Sequence, residues 1–175
     1  MAKNSKILIG KKIFLREMTI DDSKYIVNWR NDDEILKWMF NREKITFDSH
    51  IKWFKNRKNR IDYLICEIGT EKPIGSVNFN FLDKEYVEAG KMLGDKKYWG
   101  GGYAKEAFIL WLNYGFNFLK IKNIYVQTKI NNKSNIGLNM NLGFIENKIM
   151  KNKISKEDFI FMSVNKEKFK YYNEK

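Results

Sequence analysis

The chain has 175 residues, 43% of them apolar and 15% aromatic, with one cysteine and a net charge of +12. That length and composition give one domain with a real core and exclude a disordered chain, a disulfide scaffold and any bilayer-spanning run. The lysines are spread along the chain without zinc spacing, an aromatic RNA-binding motif or a helix-turn-helix signature, so the charge fits small anionic phosphates and no nucleic-acid partner is expected.

In chain order, residues 12–17 (KIFLRE) alternate and predict a first strand. Residues 18–32 follow, with Thr19 or Asp21 as N-cap and Ile20, Tyr25, Ile26 and Trp29 near helical spacing. Residues 33–40 read as a second short helix or turn, and 47–57 as another helix with Asp48 or Ser49 near its cap. Residues 62–69 and 74–82 make a hairpin around a turn that holds the only proline, Pro73. A strand over 85–93 enters a glycine-rich turn, and 107–119 carry the apolar period of a long amphipathic helix. Then come a strand over 123–130, a helix over 134–142 closed by Gly143, and strands over 144–149 and 159–164. The charged tail, about 168–175, is expected to fray. The order predicts a single α+β domain over 1–175: one mixed, mostly antiparallel sheet flanked by helices. An N-terminus without a signal-type apolar segment makes the cytoplasm the expected compartment and leaves no membrane partner.

Gly100, Gly101 and Gly102 stand between the 85–93 strand and the long helix. Glycine tolerates tight turns and close approaches, and a helix start offers unpaired N–H groups to a phosphate or pyrophosphate.

The element order and this turn resemble the GCN5-related N-acetyltransferases (GNAT). In that family coenzyme A rests on a turn of pattern Q/R-x-x-G-x-G/A, matched here by Lys97, Gly100 and Gly102, with Ala104 continuing and lysine replacing Gln or Arg. YWGGGYAKEA resembles the branch that acetylates ribosomal-protein N-termini, and Glu88, Gly90 and Leu93 fit its E-x-G-x-x-L/I strand. A further signature, N-x-x-A/S-I-x-x-Y-x-x-x-G-F, is met by Asn132, Ile136, Gly143 and Phe144. It departs at Asn135 and at Asn139, where many members carry a tyrosine proposed as general acid. Finally, Arg30-Asn31, Trp38-Met39, Ile45-Thr46 and His50 resemble the N-terminal region of the amino-sugar-nucleotide N-acetyltransferases of pseudaminic acid biosynthesis, with one extra residue between Met39 and Ile45.

The resemblance implies the GNAT-type acyl-CoA N-acyltransferase fold, acetyl-CoA as co-substrate, no metal, and direct acetyl transfer to a primary amine in a ternary complex. It places coenzyme contacts at Met92 or Leu93, whose backbone N–H would meet the thioester oxygen, and at Lys97, Gly100, Gly101, Gly102, Tyr103, Ala104, Asn132 and Asn139. The acceptor it implies is a small nucleotide-linked amino sugar, a UDP-4-amino-4,6-dideoxy sugar, bound by Arg30, Asn31, Trp38, Met39 and His50. Acetylation of a protein N-terminus or ribosomal protein, polyamine acetylation and non-catalytic acyl-CoA binding are the alternatives, and pairing into a homodimer is left open.

Each candidate has a plainer role beside the functional one. Glu88 is the candidate base, acting through water, or else it hydrogen-bonds the acceptor or faces solvent. Arg30 suits a nucleotide phosphate, or pairs with Asp32, Asp33 or Glu34. His50 faces the acceptor or is a structural histidine; Trp38, Met39 and Trp53 form an apolar platform or ordinary helix packing. Glu106 reads as a helix-dipole partner and Cys66 as an inert buried thiol. With Asn139 unable to protonate a thiolate, Tyr103, another tyrosine or solvent must do so.

Overall fold

The computed structural model describes residues 6–82 and 87–171. Eight strands form one sheet in the order β1-β2-β3-β4-β5-β6-β8-β7. They are β1 (Leu8–Ile9), β2 (Ile13–Glu17), β3 (Arg60–Glu67), β4 (Pro73–Phe81), β5 (Val87–Leu93), β6 (Asn123–Lys129), β7 (Ile145–Lys151) and β8 (Asp158–Asn165). Every neighbouring pair is antiparallel except β5 and β6, which are parallel. The helices are α1 (Ser23–Arg30), α2 (Asp33–Leu36), α3 (Phe47–Asn56), α4 (Tyr103–Asn113) and α5 (Lys133–Leu142). This is the mixed, mostly antiparallel α+β sheet that the sequence predicts.

The period-2 rule builds two cores from one sheet. On β3, Tyr63 and Ile65 face the larger core, where α4 lays down Ala107, Phe108, Trp111 and Leu112. Leu64 and Cys66 face the other side and join Ile26 and Trp29 of α1 with Met18 and Ile35. Trp111 stacks on Phe79 with ring centroids 4.4 Å apart. Helices therefore cover both faces, and Cys66 is a buried free thiol.

The β5–β6 junction positions the site. Only Val87↔Ile124 and Glu88↔Tyr125 are in register, while β6 pairs with β8 along seven positions. Residues 89–93 thus have no β6 partner, and the sheet splays open beyond Glu88.

Several boundaries differ from the sequence reading. β1 is only two residues long, too short to carry a periodic signal, and it pairs Leu8 with Leu15 and Ile9 with Phe14. The proposed strand start at Glu85 lies outside the described residues. A tight turn over Ile20–Asp22 precedes α1, because Asp22 accepts two bonds from Arg16, at 2.8 and 2.7 Å, and one from the Thr19 N–H. The long helix is α4 followed by a widened turn over Tyr114–Phe118.

The tail expectation is corrected over 168–171. Phe169 is buried beside Phe116, and the Lys170 N–H donates to Leu142 O at 3.2 Å. Gly143, at φ +101°, lets the chain pass so close to Lys168 O that a Cβ would collide with it. Residues 172–175 lie outside the described residues. Among the described residues no helix is long and apolar enough to cross a membrane.

Candidate active site

The glycine turn is made by backbone. Gly100 and Gly102 hold φ of +77° and +79°, with open space where a Cβ would point. Gly102 is the N-cap of α4 and no side chain caps that helix. The N–H groups of the first turn and the positive end of the dipole are thus left for an anion, which fits a pyrophosphate. Tyr103 packs edge-on against Tyr98 at 5.0 Å, and Lys12 Nζ donates to Gly101 O at 3.1 Å. Lys97 is exposed beside the turn and Ala104 is half-buried in the first turn of α4. Glu106 accepts the backbone N–H groups of Lys11 and Lys12 at 2.5 and 2.8 Å, so it is structural, tying the β1–β2 connection to α4.

From the splay a cleft of about 700 Å³ opens to the α1–α3 side. It is lined by Arg30, Met39, His50, Trp53, Glu88 and Met92 among the expected residues, and also by Arg60, Asp62, Asn78 and Lys91. Residues 62 positions apart in sequence thereby share one space. Leu93 ends β5 at the splay, its carbonyl taking Trp99 Nε1–H at 2.9 Å.

Electrostatics divide the cleft. Burial raises the Glu88 carboxyl above its ordinary range, against a lesser opposing pull from Arg60. Asp62 is paired with Arg57 at 3.3 Å and Arg60 at 2.7 Å. Arg30 donates only to Asn41 O, at 3.3 Å, and its buried Nε has no hydrogen-bond partner among the described residues. The plainer role foreseen for it is not what forms: Lys96 takes Asp32 and Glu34, and Lys44 takes Asp33. Burial pushes the Arg30 pKa down, which means an anion brought alongside would be welcome. His50 is 4% exposed with both ring nitrogens lacking a partner among the described residues. Burial chiefly lowers its pKa, with Arg30 and Arg57 adding to that and Asp62 opposing. It is therefore a neutral imidazole at neutral pH.

Two expected acceptor residues do not line the cleft. Asn31 donates Nδ2–H to Ile45 O at 2.7 Å and accepts the Ile45 N–H at 2.9 Å, so its amide frames the α2–α3 loop. Trp38 is 37% exposed, with Lys37 Nζ over its ring. Trp53 supplies the aromatic face instead, 5.1 Å from the His50 ring and with the Arg60 guanidinium 5.2 Å from its centroid. The loop is also fastened from the sheet: buried Lys129 donates to Lys37 O at 2.8 Å and meets Glu157 at 2.7 Å, and Glu157 also pairs with Arg42.

On the coenzyme side, Asn132 and Asn139 have partners within the protein. Asn132 caps α5 through the Asn135 N–H at 3.2 Å. Asn139 is fully buried; its Nδ2 donates to Thr128 Oγ1 at 3.2 Å and its Oδ1 accepts from Lys91 Nζ at 2.6 Å. Lys91 was missed. Its signal is a lysine in VEAGKML at the parity of the buried Val87 and Ala89.

Comparison with known proteins adds the following. A family model described as an acetyltransferase (GNAT) domain matches residues 12–145. An uncharacterised protein of Methanocaldococcus jannaschii is 30% identical over 82% of this chain, which spans only 30% of that relative's length. An uncharacterised N-acetyltransferase of Bacillus licheniformis, p20, is 28% identical over 78% of this chain and 81% of its own. Among solved structures, a spermidine N-acetyltransferase of Vibrio cholerae in complex with CoA and spermine superposes with a TM-score of 0.82. Its identity is 19%, covering 91% of this chain and 98% of that one, a likeness of fold.

Proposed function

Since the chain belongs to the GNAT acetyltransferase family, we propose that it is an acetyl-CoA-dependent N-acetyltransferase acting on a primary amine of a small anionic acceptor, a nucleotide-linked amino sugar. The observation that carries the acceptor is Arg30: a half-buried guanidinium lining the cleft with no carboxylate partner among the described residues. A bidentate bond from a phosphate satisfies such a group, and Trp53 nearby offers a face for a base or a deoxysugar. A polyamine fits poorly. Asp62 is already held by Arg57 and Arg60, which leaves Glu88 as the cleft's one unpaired carboxylate among the described residues.

The chemistry asks the protein for three things. The acceptor must be oriented beside the thioester, its ammonium must lose a proton, and charge on the carbonyl oxygen must be met by donors. Arg30 and Trp53 orient. Glu88, with its raised pKa, takes the ammonium proton through water. The unpaired edge of 89–93 offers backbone N–H groups to the carbonyl oxygen, and 100–104 would hold the pyrophosphate.

The test is release of free thiol from acetyl-CoA with a panel of UDP- and TDP-amino sugars, N-terminal peptides and spermidine. Turnover confined to amino sugar nucleotides is expected. Turnover with peptides alone would move the acceptor to protein N-termini, and tight coenzyme binding without turnover would make the chain an acyl-CoA binder.

A further inference from the structure

We propose that Lys91 is the acid that protonates the departing coenzyme thiolate, working from the face of β5 opposite Glu88. The proposal rests on the acetyltransferase reading and adds a residue to it.

The argument starts from strand parity. Glu88 and Met92 lie on one face of β5, where Met92 packs against the α1 core. Val87 and Ala89 lie on the other face and belong to the α4 core. Lys91 shares that second parity. Its amine lies over the Phe108 ring at 4.0 Å and donates to Asn139 Oδ1 at 2.6 Å, yet Lys91 also lines the cleft at the splay. One strand therefore presents a carboxylate to the α1 side and an amine to the side of α4, the helix whose start is the proposed coenzyme turn.

That division matches the two proton demands of the reaction. As the acceptor nitrogen bonds to the carbonyl carbon, the carbon–sulfur bond breaks and its electron pair stays on sulfur. The Lys91 ammonium gives one proton to that sulfur and becomes a neutral amine. The acceptor ammonium gives up two protons in all: the first leaves through Glu88 to solvent before attack, and the second, shed by the nitrogen once it has bonded to carbon, passes through Glu88 and water to restore Lys91. Protons and electrons balance with no added reagent. Asn139 cannot serve as the acid, because an amide holds its protons too tightly; it aims the amine instead.

The surroundings suit a proton donor. Phe108 of α4, Asn139 of α5, Val77 across on β4 and Thr128 of β6 behind Asn139 face the amine, and none of them titrates. Burial alone pushes its pKa down to about 7. An ammonium of that acidity gives its proton readily to a thiolate, whose ordinary pKa is about 8.5.

The test uses full-length protein, acetyl-CoA and an amine that the wild type acetylates. In Lys91→Met, kcat is expected to fall ~10²-fold with KM for acetyl-CoA within about twofold of wild type, and the alkaline limb of the kcat–pH profile should vanish. Lys91→Arg keeps the charge but cannot release a proton at working pH, so it should be equally slow. Lys91→Gln, which keeps a donor for Asn139, guards against misfolding and should also be slow. Rescue by arginine would assign Lys91 a charge-stabilising role and overturn the proposal, as would unchanged kcat in the methionine variant. A wild type that acetylates none of the amines overturns the acetyltransferase reading itself. A wild type that turns over beside an unimpaired Lys91→Met overturns Lys91 alone.

Discussion

The two ends of the cleft are built differently. On the proposed coenzyme side the candidate parts are backbone: the left-handed Gly100 and Gly102, the start of α4 without a side-chain cap and the edge of β5 after Glu88 that has no β6 partner. On the acceptor side the working parts are side chains that arrive from α1, α3, β3 and β5, chiefly Arg30, Trp53, Arg60 and Glu88. A backbone site would tolerate exchange of side chains, which would let Lys97 stand where the family pattern has Gln or Arg. A side-chain site can be retuned residue by residue, which suits one donor serving different acceptors.

The largest expected effect lies where the two ends meet. Glu88→Gln removes the base while keeping size and polarity, so kcat should fall ~10²- to 10⁴-fold with little change in either KM. The wild-type rate should also drop as pH falls through the raised carboxyl pKa, and that limb should be missing in the variant. Steady-state kinetics across pH would check both; a variant within a few-fold of wild type would leave Glu88 as a contact only.

Next comes the backbone end. Gly102→Val has room for its side chain but not the φ of +79°, and such strain in a β-branched residue amounts to about 1–3 kcal/mol. Coenzyme A affinity by calorimetry should weaken ~10- to 100-fold with acceptor KM unmoved. Intact coenzyme binding in that variant would remove the turn from the site. On the side-chain end, Arg30→Ala should raise acceptor KM ~10- to 100-fold and leave coenzyme affinity alone, in keeping with about 1.5–3 kcal/mol for a charged hydrogen bond. Arg30→Lys should recover little, since a single ammonium cannot reproduce the fork.

This contrast also explains what the sequence could disclose. The glycine turn was legible because strand, glycines and helix are contiguous and their spacing is set by backbone geometry. The acceptor motif was legible only in part. Asn31 proves to clasp Ile45, and Thr46 caps α3 through the Ser49 N–H, so much of that spacing encodes the frame of a loop. Arg30, Met39 and His50 reach the cleft, but Trp38 does not, and Trp53 takes the aromatic place. No local pattern says whether Trp38, in the turn after α2, or Trp53, on α3, faces inward. Lys91 could have been found from its parity on β5. What the sequence could not supply was that β6 leaves the strand there, since register is settled by the whole sheet.

The smallest effect separates two acceptor-side groups, His50 and Glu88, by the sign of their response to acid. His50 titrates low in the folded protein, below its ordinary value of about 6.5. As pH falls below 6.5 the unfolded chain gains a proton on His50 that the folded chain refuses, so stability declines until the folded pKa is reached. Glu88 titrates high in the folded protein. Between that raised pKa and the ordinary glutamate value the folded state binds the extra proton, so stability grows as pH falls through the same region. Each slope is at most about 1.4 kcal/mol per pH unit, and the two partly cancel in the wild type. Denaturant unfolding from pH 7 to 4.5 should therefore show a shallow wild-type profile. His50→Gln should gain stability relative to wild type on acidification, and Glu88→Gln should lose it. Profiles that stay parallel to wild type would mean that neither group is held away from water at the cleft, and the electrostatic contrast between these two acceptor-side groups would fail.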